Sequence, residues 1–349
     1  MSRLALNNVR RTSFCRSSQT ECVQEYGFEL VLAAHLETEQ EGIISRQLGT
    51  AVSGRRIMDL VCVRPGPAFN KRVQLTGKAI PPAAIESDIG PGRFRFIRDG
   101  FDGNPDQARA VVERATECGF FETERRHGRT YARQTIRYPD WFDQLVGIEN
   151  KPDLGSPGDL ETQLLSDVAL GLLDAVVLAT ESYVTRAHKN RIPEEVGIWR
   201  FDPQTGERAV IREPTQLPTN EGGVDIIERS STRTEIRIVS PAEKQRTRRR
   251  VAERAYGKGW RTYEFPGCEQ LDPNDGSLPK IQREAGLPYC RWHERIVHPT
   301  SDCDSECPGY RDDDPPERSC ASLREAKTAW VKEPAGRQRT QSGLDQFID

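Results

Sequence analysis

Residues Leu145-Val146-Gly147-Ile148-Glu149-Asn150-Lys151 read as a short apolar strand that ends in an acid, one spacer and a lysine. Side chains on a strand alternate between its faces. The spacing therefore predicts that Glu149 and Lys151 project together from one edge while Ile148 and Asn150 point the other way. A carboxylate beside an ammonium suits phosphoryl chemistry. The acid can hold a divalent metal, and the lysine can orient the attacking water or neutralise charge building on a phosphoryl group. The triplet alone has little specificity in a chain with 53 acids, and a second one, Glu325 to Lys327, stands in a polar stretch with no strand before it. An ordinary surface ion pair at a strand end is the competing reading.

The elements around the triplet favour the chemical reading. Residues 26–39 have helical spacing, with Phe28, Leu32 and Leu36 on one face. Two strands are expected next, over 43–48 and 55–63. Asp59 stands inside the second apolar run, where a charge is costly unless it is paired or bound to a metal. Downstream, 158–173 reads as a helix carrying Gln163, and 175–179 as a buried strand of the parallel type. A helix over 184–191 and a strand over 196–201 complete an α/β pattern.

This order of elements, with Asp59 and the Glu149-Asn150-Lys151 triplet, resembles the PD-(D/E)XK nuclease superfamily over residues 24–63 and 144–201. The resemblance implies a restriction-endonuclease-like core, a mixed central sheet flanked by helices. It implies that Asp59 and Glu149 bind magnesium (Mg2+ or Mn2+) and that Lys151 is the catalytic lysine. It also implies an accessory acid on the first helix, Glu29 with Glu37 as the alternative, and a glutamine on the helix after the triplet, Gln163. The long stretch between Asp59 and Glu149 departs from the family pattern, being far more than a hairpin needs. Either a module is inserted there, or Pro139-Asp140 supplies the second acid. Asp59 is preferred because Leu60-Val61-Cys62-Val63 continues its strand, whereas Asp140 lies in the turn-like Tyr138-Pro139-Asp140-Trp141.

The expected organisation follows. Residues 1–63 and 144–202 form the nuclease core, and 64–143 an inserted winged-helix-like module. Within the insertion, 106–118 reads as a helix and 119–136 as two strands around His127-Gly128. A helix followed by a hairpin bearing Arg125, Arg126, Arg129 and Arg133 is how a winged helix ends, and such a module can grip duplex phosphates. A solvated hairpin that props up the core is the bland alternative. Residues 203–262 read as a mixed extension with one basic helix, its densest run being Arg246 and Arg248 to Arg250. A solvated face is the more common use of such a run.

Net charge is −3, so a nucleic-acid surface must come from local patches. No apolar run approaches about 18 residues and nothing resembles a signal peptide, which predicts a cytoplasmic protein with no membrane partner. Arginine outnumbers lysine 41 to 9, the mark of a GC-rich genome, and with the tail described next the chain resembles a haloarchaeal family. The mild net charge counts against that origin.

Of nine cysteines, five fall in the last third: Cys268, Cys290, Cys303, Cys307 and Cys320, with His293 and His298 among them. Residues 263–325 are rich in Pro, Gly and Asp and short of core formers, so they call for a staple. Four thiolates, Cys268, Cys290, Cys303 and Cys307, around zinc would supply it. The nuclease resemblance implies an iron-sulfur cluster as the alternative, with Cys15 or Cys22 contributing. Residues 326–349 read as a disordered tail. It ends Gln341-Ser342-Gly343-Leu344-Asp345-Gln346-Phe347-Ile348-Asp349, which resembles the peptide that binds the sliding clamp. One helical turn puts Leu344 and Phe347 on one side as a plug, with Gln341 bonding beside it and Ile348 replacing the usual second aromatic. These readings converge on a metal-dependent DNA nuclease of repair or replication, recruited by the clamp. A non-cleaving DNA-binding protein and a scaffold with a structural metal are the alternatives.

Overall fold

The computed structural model describes residues 14–39, 42–52, 56–69, 72, 80–101, 104–135, 140–230, 232–317, 319–320 and 322–323. Helix α1 (Phe14–Glu39) leads into strands β1 (Ile43–Gly49) and β2 (Ile57–Pro65). Between β2 and β6 the chain carries α2 (Pro82–Glu86), β3 (Arg95–Phe96), α3 (Pro105–Glu117), β4 (Phe121–Arg126) and β5 (Arg129–Gln134). The main sheet then resumes with β6 (Phe142–Asn150), α4 (Leu160–Leu170), β7 (Ala175–Thr180), α5 (Arg186–Arg191), β8 (Gly197–Phe201) and β9 (Arg208–Arg212). A hairpin of β10 (Gly223–Arg229) and β11 (Thr234–Val239) precedes α6 (Pro241–Lys258). The cysteine-rich segment adds α7 (Lys280–Ala285), β12 (Tyr289–Cys290) and β13 (Arg295–Ile296).

The protein is mixed α/β, with a six-stranded sheet in the order β1-β2-β6-β7-β8-β9. β1, β2 and β6 run antiparallel, β6, β7 and β8 parallel, and β9 antiparallel to β8. Parallel neighbours need a crossover, and α4 and α5 supply the two. Burial on both faces gives β7 its unbroken apolar run. Gly147 lets β6 fit tightly, because a Cβ there would meet Leu173 Cδ1 at 2.4 Å and Met58 Cε at 2.9 Å.

Each face of the sheet has its own apolar layer. Phe28, Leu32 and Leu36 of α1 pack with Leu60, Ile148, Val177 and Phe201 on one side. On the other, Leu164 of α4 and Val251 and Ala255 of α6 share a cluster with Val61, Leu145 and Leu178. The segment between β2 and β6 joins this second cluster through Ile85, Ile97, Val112 and Phe121. Its hairpin turns at His127 (φ 49°) and Gly128 (φ 74°), the two left-handed residues that a tight hairpin turn with the strand twist requires.

Helix α6 starts at a capping box, in which Ser240 and Glu243 satisfy each other's backbone N–H, with Pro241 at the first turn. Two arginines of its basic run are turned inward. Arg248 donates to Asp174 at 2.7 Å and to the Leu172 carbonyl at 2.6 Å, and Arg250 reaches the Ala51 carbonyl at 3.1 Å. Among the described residues no helix is long and apolar enough to cross a membrane.

Candidate active site

The register of β2 against β6 pairs Leu60 with Ile148. The pairing ends there, and Asp59 and Glu149 are the next residues on the two strands, close enough for the charge of Glu149 to act on Asp59. The Asn150 N–H donates to Asp59 Oδ2 at 2.9 Å and fixes the meeting point.

Strand alternation breaks at this level. Gln47 of β1 lies between the pairs Arg46–Leu60 and Leu48–Met58, and its φ is 52°. A non-glycine residue in the left-handed region is uncommon and carries strain. On β2, Met58 and Leu60 are two residues apart yet pack into opposite layers. Asp59 therefore sits at a crossover point, where acids from both sides of the sheet can approach it.

From the α1 side comes Glu29, buried, with Arg46 Nε donating to it at 2.9 Å and Arg46 Nη2 at 3.2 Å. The Gln47 amide nitrogen donates to both Glu29 oxygens and to Asp59 Oδ1, each at 3.2 Å. From the α4 side comes Asp167. Arg56, just ahead of β2, bridges it to Glu149: Nη2 lies 2.7 Å from Glu149 and 2.8 Å from Asp167, and Nε donates to Asp167 at 3.1 Å.

The carboxylates crowd one another. Burial and the charges of Glu149 and Glu29 push Asp59 well above the ordinary 3.8, with the Asn150 N–H and Arg56 opposing. Burial raises Glu149 too, with Arg56 opposing and Asp167 and Glu29 adding. Asp167 is raised by burial against the pull of Arg56. Nearby, Asn150 Oδ1 is buried with no hydrogen-bond partner among the described residues.

Lys151 forms an ion pair with Glu25, one turn before Glu29 on α1. Glu149 is held by Arg56, which also binds Asp167. β6 ends at Asn150, and regular alternation ends with it. Gln163 is half-buried on α4, but it is Asp167, one turn later, that reaches Glu149 through Arg56. Glu37 is bound by Arg261 at 2.7 and 2.9 Å, which leaves Glu29 as the helix acid at the site. Asp140 is exposed ahead of β6, at the end of that strand remote from Glu149. Arg46, Gln47, Arg56 and Asp167 escaped sequence reasoning. The only available signal was Asp167 falling four residues after Gln163, on the same helix face.

In the cysteine-rich segment, Cys290 and Val297 form a small core with Leu271, against which Cys303 packs. Cys307 Sγ is 3.6 Å from His293 Nε2. Burial, then the neighbouring Cys290, Asp302, Cys268 and Cys307, push the Cys303 thiol up to about 12. Among the described residues no group of three or more His, Cys, Asp or Glu stands ready to hold a metal ion. A closed tetrahedral zinc site needs such a cage. Magnesium does not, since it uses one or two carboxylates and keeps its waters. The tail residues Gln341, Leu344, Phe347 and Ile348 lie outside the described residues, as do the side chains of Cys15 and Cys22.

Fold and site together define a mixed α/β protein whose central sheet ends in a cluster of crowded carboxylates. The chain belongs to a family of unknown function, DUF5787, whose model matches residues 43–312. That span holds Asp59, Glu149, Lys151, the segment between β2 and β6 and Cys268 to Cys307, whereas Glu29 precedes it. No curated protein and no solved structure matches the chain.

Proposed function

We propose that this protein is a metal-dependent DNA nuclease of the PD-(D/E)XK type, acting in repair or replication. The observation that carries the reading is Asp59 beside Glu149 where the β2–β6 pairing ends, with Glu29 joining from α1. The order of α1, β1, β2, β6, α4 and β7 also agrees with a restriction-endonuclease-like core. The donors are all oxygen, the chemistry that a hard divalent cation takes. Asp59 and Glu149 would hold magnesium or manganese, and a carboxylate raised by its acidic neighbours gains most from a cation beside it. Once bound, the ion supplies Lewis acidity and a more acidic water. Among the chain's own groups, Gln47 and the Asn150 N–H orient Asp59, and Lys151, released from Glu25, would neutralise charge on the phosphoryl oxygens.

The test offers nicked, branched and single-stranded DNA with magnesium to the wild type, Asp59→Asn, Glu149→Gln and Lys151→Ala. Cleavage by the wild type that falls at least about 100-fold in each variant is expected. Equal products from all four would end the reading.

Arg56 favours a second reading. It already neutralises Glu149 and Asp167, the arrangement of a protein that keeps such a fold and binds DNA without cutting it. In that case magnesium changes neither DNA integrity nor thermal stability. We also propose that Gln341, Leu344, Phe347 and Ile348 bind the sliding clamp, on the strength of their spacing alone.

A further inference from the structure

Strands β3, β5 and β4 form a three-stranded antiparallel sheet in that order. Ala132, at the centre of β5, is fully buried and faces the apolar cluster shared with the core. Its neighbours Tyr131 and Arg133 therefore point to the opposite, outer face. Phe96 pairs with Tyr131 across the strands, and their rings lie 5.6 Å apart. Phe94 stands beside them. All three rings are half-buried, and none belongs to a core cluster.

Arginines cover these rings. Arg133 lies 4.6 Å from the Phe94 centroid, Arg126 5.4 Å from Tyr131 and 5.9 Å from Phe94, and Arg129 5.5 Å from Phe96. Glu124 and Glu122 hold Arg126 and Arg133 in these positions through ion pairs. Arg129 has no acidic partner among the described residues. Alternating rings and guanidinium planes on one exposed sheet face exceed what propping up a hairpin requires, since the packing is done from the other side.

We infer that this outer face binds single-stranded nucleic acid, with bases stacking among Phe94, Phe96, Tyr131 and the arginine planes while the guanidinium edges take the phosphates. Single strands present free base faces, and stacking on aromatic and arginine planes is how they are held without sequence preference. A duplex has no free base faces to offer. The adjoining helix adds no basic face for a duplex: on α3 Arg109 is paired with Asp106 and Arg114 with Glu117, and Glu113 is exposed. The basic hairpin thus reads as a platform for a strand rather than as a wing on duplex DNA.

Binding of a labelled 15-nucleotide oligothymidine and of a hairpin duplex of equal length, followed by fluorescence anisotropy in EDTA, tests this. EDTA removes cleavage from the readout, so a catalytically inert protein gives the same answer. The expected result is preference for the single strand, weakened about 10-fold in Tyr131→Leu, retained in Tyr131→Phe, and weakened in Arg129→Ala, whose exposed side chain can be removed without disturbing the fold. Equal or tighter duplex binding, no binding of either DNA, or unchanged affinity in both Tyr131→Leu and Arg129→Ala would overturn the inference.

Discussion

Arg56 lays its guanidinium along the carboxylate of Asp167, with Nη2 at 2.8 Å and Nε at 3.1 Å, and the same Nη2 reaches Glu149 at 2.7 Å. One cation thus serves two buried acids from separate elements. Arg56→Ala leaves both without a counter-charge, and breaking a buried pair this way costs about 3–5 kcal/mol. Chemical denaturation should show a loss at the lower end of that range, because Asp167 can take up a proton. A loss below about 1 kcal/mol would mean that the bridge is not part of the folded state.

Asp59 behaves in the opposite sense. Its carboxyl is raised by burial and by Glu149 and Glu29, so the folded protein favours the protonated form. That stability is present below the ordinary 3.8 and is lost as pH rises through the folded value. Asp59→Asn, which keeps an acceptor for the Asn150 N–H, should therefore melt above the wild type in EDTA at neutral pH, by about 2 °C for each kcal/mol. The gap should close on acidification. Magnesium should raise the melting temperature of the wild type and leave that of Asp59→Asn unchanged. A variant that melts below the wild type at every pH would contradict the crowding described above.

The cysteine-rich segment offers a separate acid-side test. Hydrogen bonds from the Ser277 side chain and backbone, then from Arg291, lower Asp275 from 3.8 to about 2. A lowered carboxyl stabilises the fold above its unfolded value, and the benefit disappears as pH falls toward about 2. Asp275→Asn should therefore melt below the wild type at pH 6, with the difference shrinking between pH 4 and pH 2. A constant difference would show that the charge is not responsible.

Cys268, Cys290, Cys303 and Cys307 gather around one small core but form no ready metal cage. We propose that zinc or an iron-sulfur cluster draws them together. Elemental analysis of the purified protein should then find near-stoichiometric metal, which Cys303→Ser reduces. Metal-free protein with an unchanged melting temperature would assign the segment to packing alone.

Removing residues 341–349 should abolish binding to the sliding clamp while leaving cleavage of naked DNA intact. Pull-down with purified clamp, beside a Phe347→Ala variant, reads this directly. Retained binding would place the contact elsewhere on the chain.

The sequence disclosed the elements better than the site. Apolar runs at 145–148 and 175–179 and the helical spacing of Phe28, Leu32 and Leu36 identify β6, β7 and α1 because burial alone determines them. His127-Gly128 marks the hairpin because only left-handed residues turn it. Asp59 betrayed itself as a charge in a buried strand. Arg56 and Asp167 were hidden, because a bridge across 111 residues of chain leaves no local pattern. The Lys151–Glu25 ion pair was hidden for the same reason, since 126 residues of chain separate the two.

The left-handed Gln47 makes the β1–β2 ribbon a twisted hinge point in which the two apolar layers exchange strands. Any residue added or lost beside it would reverse the inside and outside of the remaining ribbon, sending Leu48 and Met58 to the wrong layer and carrying Asp59 away from its neighbours. Length variation among related chains is therefore not expected within Arg46–Leu48 or Met58–Leu60, the two short stretches that face each other across this kink.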